Sequence, residues 1–449
     1  MGGTTDLTAH ELDGSPQKDP DSPDGTPLSR KRKRLYAAVG VVISLWLVLT
    51  VWAVTTGLPS TIYWFSYYAV DYSYGFVRRG LGGTITALFG QRHYFLVSAV
   101  LTWGSVVAYF GALALLARKI LSGGRRSERR MMVALLVPVL PFTATFALYG
   151  PRPELYGAAA LILFSLALTR VSSTRAAAIA AAAYGAVIMV LTLIHEAIPQ
   201  EFTLGAILAI AVLGPAMKAG YRWLCIGLAL GPAALTAGAV MAFGHRDLAD
   251  RLCAQIPHHL MRNSYQVPAD KVLDYALGRY QSVSDYHDWV CSYVIPYFGA
   301  SFPAAIRSVT ELGIPVLIAG FLHGLAVCIA TIWLVRFFTG VPIAEFTGSI
   351  RIHKVVPALA LAAMIPVFAT GADWIRWWTI ILINIATVYL VFAASRPEMQ
   401  RPVSRRDLRA FVATVVVLIL VPLTAPAGYS SRWADGYTWT PQTGWTKTH

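Results

Sequence analysis

Asp71, Arg78 and Arg79 stand close together in the stretch DYSYGFVRRGLGG (71–83), directly after an aromatic segment, TIYWFSYY. An acid set among apolar and aromatic residues can have its proton affinity tuned and can act as a general base. A guanidinium offers a planar fork of donors that matches a phosphate. Three similar constellations follow. YGPRPELYG (149–157) places Arg152 and Glu154 in one turn. LIHEAIPQEF (193–202) holds His195, Glu196 and Glu201, and TGADWIRWW (370–378) sets Asp373 and Arg376 three apart among Trp374, Trp377 and Trp378.

Each constellation also has a plainer reading. Asp71 could cap a helix or pair with a neighbouring arginine, and Arg78 and Arg79 could bind lipid headgroups. Arg152 and Glu154 could pair across Pro153, and the tryptophan segment could be an interfacial anchor holding its own ion pair. Gly80, Gly82 and Gly83 would let a headgroup or another backbone come close, but they form no Walker loop. His195 and Glu196 open like HExxH; position 199 is Pro, however, and no second His follows at the required spacing, which argues against a zinc protease. The segment 244–311 adds His245, Arg246, Asp247 and Asp250, then His258, His259 and Arg262, then Asp285, His287 and Asp288. These could ligate a divalent ion, yet no spacing is diagnostic. The preferred role is a solvated lid that binds an acceptor, and no metal site is assigned.

The elements that must position these residues are membrane helices. Only 13% of the 449 residues are charged and 56% are hydrophobic, against about 25% charged in an ordinary soluble chain. Apolar runs of membrane-crossing length recur near 36–56, 93–117, 131–149, 155–170, 176–195, 202–217, 223–243, 312–338, 354–371, 375–394 and 409–425. The expected fold is an all-α polytopic membrane protein with about eleven crossings and short interfacial helices in loops 57–92 and 244–311. The net charge of +14 sits largely in alternate connections, such as RKILSGGRRSERR (118–130) and SRPEMQRPVSRRDLR (395–409). Positive-inside orientation explains this charge better than nucleic-acid binding. Residues 1–34, ending in SRKRKR, should then form a disordered cytoplasmic tail, and residues 426–449 a tail on the outer side. All four chemical constellations fall on that outer side, where a bridge between Cys253 and Cys291 is plausible. Buried spans of near-pure aliphatic sequence count against a conducting path, because intramembrane charge usually marks one.

With this layout in view, the chain resembles the GT-C superfamily of integral membrane glycosyltransferases. YGFVRRGLGG and GADWIRWW are similar to segments of bacterial members, and Asp71 takes the place of the acid in the first outer loop. The superfamily often pairs two acids there; this chain has one, so a partner would come from Glu154, Glu196 or Asp373. The resemblance implies a polyprenyl-phosphate sugar as donor and inverting transfer to a glycan, lipid or protein acceptor. It makes Asp71 the base, gives Arg78, Arg79, Arg152 and Arg376 the donor phosphate, and leaves Glu154, His195, Glu196, Asp373 and Trp374 in supporting or acceptor-binding roles. The arginine-rich, alanine-rich composition favours a bacterial plasma membrane and arabinofuranose or mannose as the sugar. Two rival classes remain: an envelope-glycan acyltransferase built on His195, and a flippase or transporter of lipid-linked sugar.

Overall fold

The computed structural model describes residues 29–244 and 248–421 and two short strands, Tyr437–Thr440 and Gly444–Lys447. The expectations for residues 1–28 and for His245, Arg246 and Asp247 lie outside these residues, as does the C-terminal tail apart from its antiparallel strand pair.

Among the described residues seven helical spans are long and apolar enough to cross a membrane: α1 (Arg30–Gly57), α2 (Gln91–Ser122), α3 (Glu128–Tyr149), α5 (Thr174–Ile194), α7 (Ala219–Phe243), α8 (Ile314–Thr339) and α10 (Trp374–Ala393). Three shorter apolar helices lie between them, α4 (Glu154–Leu168), α6 (Ile198–Val212) and α9 (Val355–Thr370). The last, α11, covers Arg405–Leu420. Every expected run is therefore helical, but the count of eleven crossings does not carry over. Among the described residues seven helices meet the length requirement, or eight if the pair Tyr286–Phe298 and Phe302–Thr310, bent by 116°, is one span. The shortfall is geometric: α4 and α6 have 15 residues each, about 22 Å at 1.5 Å per residue, against a hydrocarbon core of about 30 Å.

The basic run at 29–34 belongs to α1 rather than to a disordered tail. Ser29 caps the helix by accepting from Arg32 N–H, Arg32 pairs with Glu128, and Tyr36 donates to Glu128 at 2.9 Å. Glu128 opens α3, so the cationic head of α1 is tied to the neighbouring helix.

Helices α4, α6 and α10 pack on one another at the centre of the bundle, α8 lies along α10, and α7 lies along α5. One buried amide registers the central pair. Asn384 of α10 accepts from Gly205 N–H at 2.7 Å and donates to the Glu201 carbonyl at 2.7 Å. Those two α6 groups are four residues apart, the pair that closes one turn of a helix, so the carboxamide is inserted at that turn. A lone amide inside an apolar run departs from the all-aliphatic spans expected.

The two ends of α10 lie about 30 Å apart, since it has 20 residues. At its C-terminal end, buried Arg130 donates to the carbonyls of Ala394 and Ile120, both at 2.8 Å. Arg129 donates to Phe338 O at 3.0 Å and reaches Asp407 at 3.3 Å. These carbonyls end α10, α2 and α8, where orphan acceptors and the negative dipole end favour a cation. Part of the basic charge in the connections is thus structural.

Gly205 tests the amide clamp. A Cβ there would lie 2.3 Å from Asn384 Oδ1 and 2.4 Å from Leu161 Cδ2. Gly→Ala in an open helix interior ordinarily stabilises by up to about 1 kcal/mol, and Gly238→Ala on α7, which meets nothing within 4 Å, should follow that rule. Gly205→Ala should instead lose about 1–3 kcal/mol through overpacking. Thermal unfolding of both variants in detergent, beside the parent, checks the difference in sign.

Candidate functional site

The ionisable residues singled out in the sequence converge at the N-terminal end of α10. Pro153 precedes α4, whose first residue is Glu154. α5 stops at His195, the following turn carries Glu196, and α6 restarts with Pro199 and Glu201 in its first turn. Asp373 occupies the N-cap of α10 and Arg376 its first turn. Three acids therefore sit at the starts of three mutually packed helices, where the positive dipole ends favour them.

Two ionic groups form there. In the first, Arg79 donates to both oxygens of Glu196, at 2.7 and 2.9 Å, and Arg78 lies 3.6 Å from the same carboxylate. In the second, Asp373 is shared by Arg152 and Arg376, each at 3.3 Å, and Arg376 also lies 3.7 Å from Glu154. His195 Nε2 faces Glu154 at 3.7 Å from the other side. The four arginines expected to meet a phosphate are thus all engaged by carboxylates.

Arg79 adopts a left-handed backbone, φ 61°, uncommon for a residue with a side chain and a form of local strain often found at working sites. It lies at the start of the short helix Gly80–Ala87. The glycines of that helix are explained by close backbone and ring approach, not by a headgroup. A Cβ on Gly83 would lie 2.1 Å from the Val70 carbonyl oxygen, and one on Gly80 would lie 2.2 Å from the Tyr72 ring.

Asp71 is placed differently from the other acids. Its Oδ1 accepts from Ser73 N–H at 3.0 Å in a local turn, and among the described residues no cation pairs with it. Besides Arg78 and Arg79, the first loop reaches the charged cluster through aromatic side chains. Tyr67 stacks on the His195 ring at 5.6 Å and carries the Arg79 guanidinium at 5.8 Å, while Arg152 lies 4.6 Å above Trp64. Trp374 packs against Phe321 and Phe368 and donates to Phe368 O at 2.9 Å; it is Trp377 that carries Arg376, at 3.8 Å. Trp64 and Tyr67 are therefore additions to the assigned roles, and among the three tryptophans of TGADWIRWW it is Trp377 that meets the charge. Their signal was the density of aromatic residues beside charged ones, which spacing alone did not rank.

The segment 248–311 covers this cluster. Phe298 lies 5.4 Å from the guanidinium of both Arg78 and Arg79, and Tyr265 and Trp289 meet the edge of Tyr63. The segment is held by the Cys253–Cys291 disulfide and by a two-stranded ribbon, β1 (Leu260–Arg262) against β2 (Val283–Asp285). The ribbon brings His258 to 3.2 Å from Asp285, while His287 pairs with Asp288 at 2.9 Å; the two imidazoles stack at 4.0 Å.

Burial would raise the Glu196 carboxyl, but the Arg79 guanidinium bonded to it, with His195 and Arg78 nearby, holds it well below the usual range. Burial pushes the His195 imidazole below its ordinary 6.5, against the pull of Glu154, so the ring is neutral at pH 7. Burial, with the charge of Glu154 behind it, raises Asp373 from 3.8 to about 6, although Arg152 acts in the opposite direction.

A helical bundle with apolar side chains exposed along its length, such as Leu45, Val100 and Leu235, and a charged site at one end defines a polytopic membrane protein. Over residues 36–419 the chain belongs to the family described as uncharacterised membrane protein Rv1490. It is 42% identical over 397 residues to the uncharacterized protein Rv1490 of Mycobacterium tuberculosis H37Rv and to uncharacterized protein Mb1527 of Mycobacterium bovis. Each match covers 88% of this chain and 91% of the relative. No solved structure matches the chain.

Asp373 yields a pH test. Because its folded pKa of about 6 lies above 3.8, the folded chain keeps a proton that the unfolded chain has released between those values. Stability from this group is full below the lower value and falls as pH rises towards 6. Thermal unfolding of the parent should therefore weaken across that window relative to Asp373→Asn, whose amide does not titrate. Parallel curves for the two proteins would remove Asp373 from the titrating set.

Proposed function

We propose that this protein is an inverting membrane glycosyltransferase that moves a sugar from a polyprenyl-phosphate donor to an envelope acceptor, working at the outer face of a bacterial plasma membrane with its N-terminus in the cytoplasm. The observation that carries the reading is the meeting of Arg79, Arg152 and Arg376 with Glu154, Glu196 and Asp373 at one end of an apolar bundle, beneath the aromatic first loop and a covering segment. Such a site suits a donor whose lipid tail lies among helices and whose phosphate and sugar lie at their mouth. The GT-C resemblance of YGFVRRGLGG and GADWIRWW supports it, as does the mycobacterial origin of the relatives, which fits an arabinofuranose or mannose donor. The disulfide in the covering segment supports an extracytoplasmic side, where such bonds persist.

In this reading Arg152 and Arg376 receive the donor phosphate. Their shared partner Asp373 is a carboxylate whose proton affinity burial raises, so a phosphate can take its place. The two guanidiniums then stabilise the charge that builds on the leaving phosphate. Trp64 and Tyr67 offer ring faces to the sugar. Asp71 turns from the Ser73 N–H towards the cluster, accepts the acceptor hydroxyl proton, and the oxygen attacks the anomeric carbon from the face opposite the phosphate.

Purified protein incubated with a panel of labelled polyprenyl-phosphate sugars and envelope acceptors provides the test. Asp71→Asn should lower kcat by about 100-fold or more with donor KM little changed, the range expected for loss of a general base. Arg152→Lys keeps the charge but loses the fork and should chiefly raise donor KM. Full activity in Asp71→Asn would remove Asp71 as base. An acylated product that is lost in His195→Ala would establish the acyltransferase, and movement of lipid-linked sugar across proteoliposomes with no product would establish the flippase.

A further inference from the structure

We propose that Glu154, His195 and Glu201 form a binding site for one divalent transition-metal cation, buried at the N-terminal ends of α4 and α6. One side-chain donor atom from each of the three lies within 4.8 Å of the other two. Glu201 is 1% exposed and Glu154 2%, and neither carboxylate accepts a hydrogen bond from any described residue. The ionisable neighbours of Glu154, His195 Nε2 and Arg376 Nη1, are both at 3.7 Å, beyond hydrogen-bond reach. A buried carboxylate without a partner is strongly unfavourable. Two of them side by side call for a cation between them.

Arg78 and Arg79 lie against Glu196, and Arg152 and Arg376 share Asp373 at 3.3 Å, closer than Arg376 comes to Glu154 at 3.7 Å, so the guanidiniums of the cluster are engaged chiefly by the other two acids. The supporting scaffold is rigid: Glu154 opens α4, His195 closes α5, and the backbone of Glu201 is held by Asn384 from α10.

The donor set selects the ion. Two carboxylates and one imidazole suit Mn²⁺, Fe²⁺ or Zn²⁺, whereas Ca²⁺ asks for six to eight oxygens and Cu⁺ for soft sulfur. His195 Nδ1 accepts from Ala197 N–H at 3.3 Å, which leaves the ring proton on Nε2. Binding through Nε2 therefore shifts that proton to Nδ1 and gives up the long contact to Ala197.

This inference stands apart from the transfer reaction proposed above, since its readout needs no donor or acceptor. Tag-free full-length protein in detergent, stripped with EDTA, would be titrated with Mn²⁺ while the free ion is followed by electron paramagnetic resonance. The parent should bind one Mn²⁺ per chain at this site and gain thermal stability on binding. Glu201→Gln should weaken that binding at least tenfold and lose the metal-induced gain. Its melting temperature without metal should equal or exceed that of the metal-free parent, because a buried charge has been removed. The double variant His258→Ala/His287→Ala, which dismantles the exposed cluster in the covering segment, should keep the site. Absence of binding in the parent, unchanged binding in Glu201→Gln, or loss of all binding in the double variant would overturn the proposal.

Discussion

Charge neutrality in a low-dielectric interior is the constraint on which this structure rests. Glu154, Glu201 and Asp373 stand at the starts of α4, α6 and α10, three helices that pack on one another. Ionised side chains taken out of water need partners nearby, since desolvation otherwise exceeds any gain. Arg152 and Arg376 answer Asp373, Arg376 also lies near Glu154, and Arg78 and Arg79 meet Glu196. Apart from Arg376–Asp373, which are three residues apart, these pairs join segments far apart in the chain. The same contacts that neutralise the site therefore hold the helix ends together.

The opposite end of α10 solves the complementary problem. There, helix C-termini expose carbonyls, and Arg129 and Arg130 reach into three of them. Acids and arginines meet at the helix starts, and arginines bind carbonyls at the helix ends, about 30 Å apart along α10. That separation matches the thickness of a hydrocarbon core, and the exposed aliphatic side chains lie between the two layers. The inserted Asn384 amide interrupts the aliphatic region at one point, where it sets the register of α6 against α10 and so the height of Glu201.

The covering segment converts an open cluster into an enclosed one. Phe298 over Arg78 and Arg79, and Tyr265 and Trp289 against Tyr63, join it to the first loop through aromatic contacts. Aromatic rings tolerate a guanidinium on one face and apolar neighbours on the other, so the cover is compatible with charge. The disulfide and the β1–β2 ribbon fix its shape where a long loop would otherwise pay a large entropy of ordering.

Apolar run length and the sparsity of charge were enough, from the sequence, to establish an α-helical membrane protein. They also marked Arg79, Arg152, Glu154, His195, Glu196, Asp373 and Arg376, because charge in such a chain is conspicuous wherever it falls. Beyond the local Asp373–Arg376 pair, pairing was not legible: which carboxylate meets which arginine depends on contacts between turns more than a hundred residues apart, as in Arg79–Glu196 and Arg152–Asp373. Nor was the orientation of a side chain. Asp71 turns onto its own backbone, Trp377 rather than Trp374 carries the guanidinium, and Glu201 reaches the cluster because α6 starts where α4 does. Hydrophobicity is a property of each residue and survives in the sequence. The neutralisation of buried charge is a property of pairs, and only the packed helices decide it.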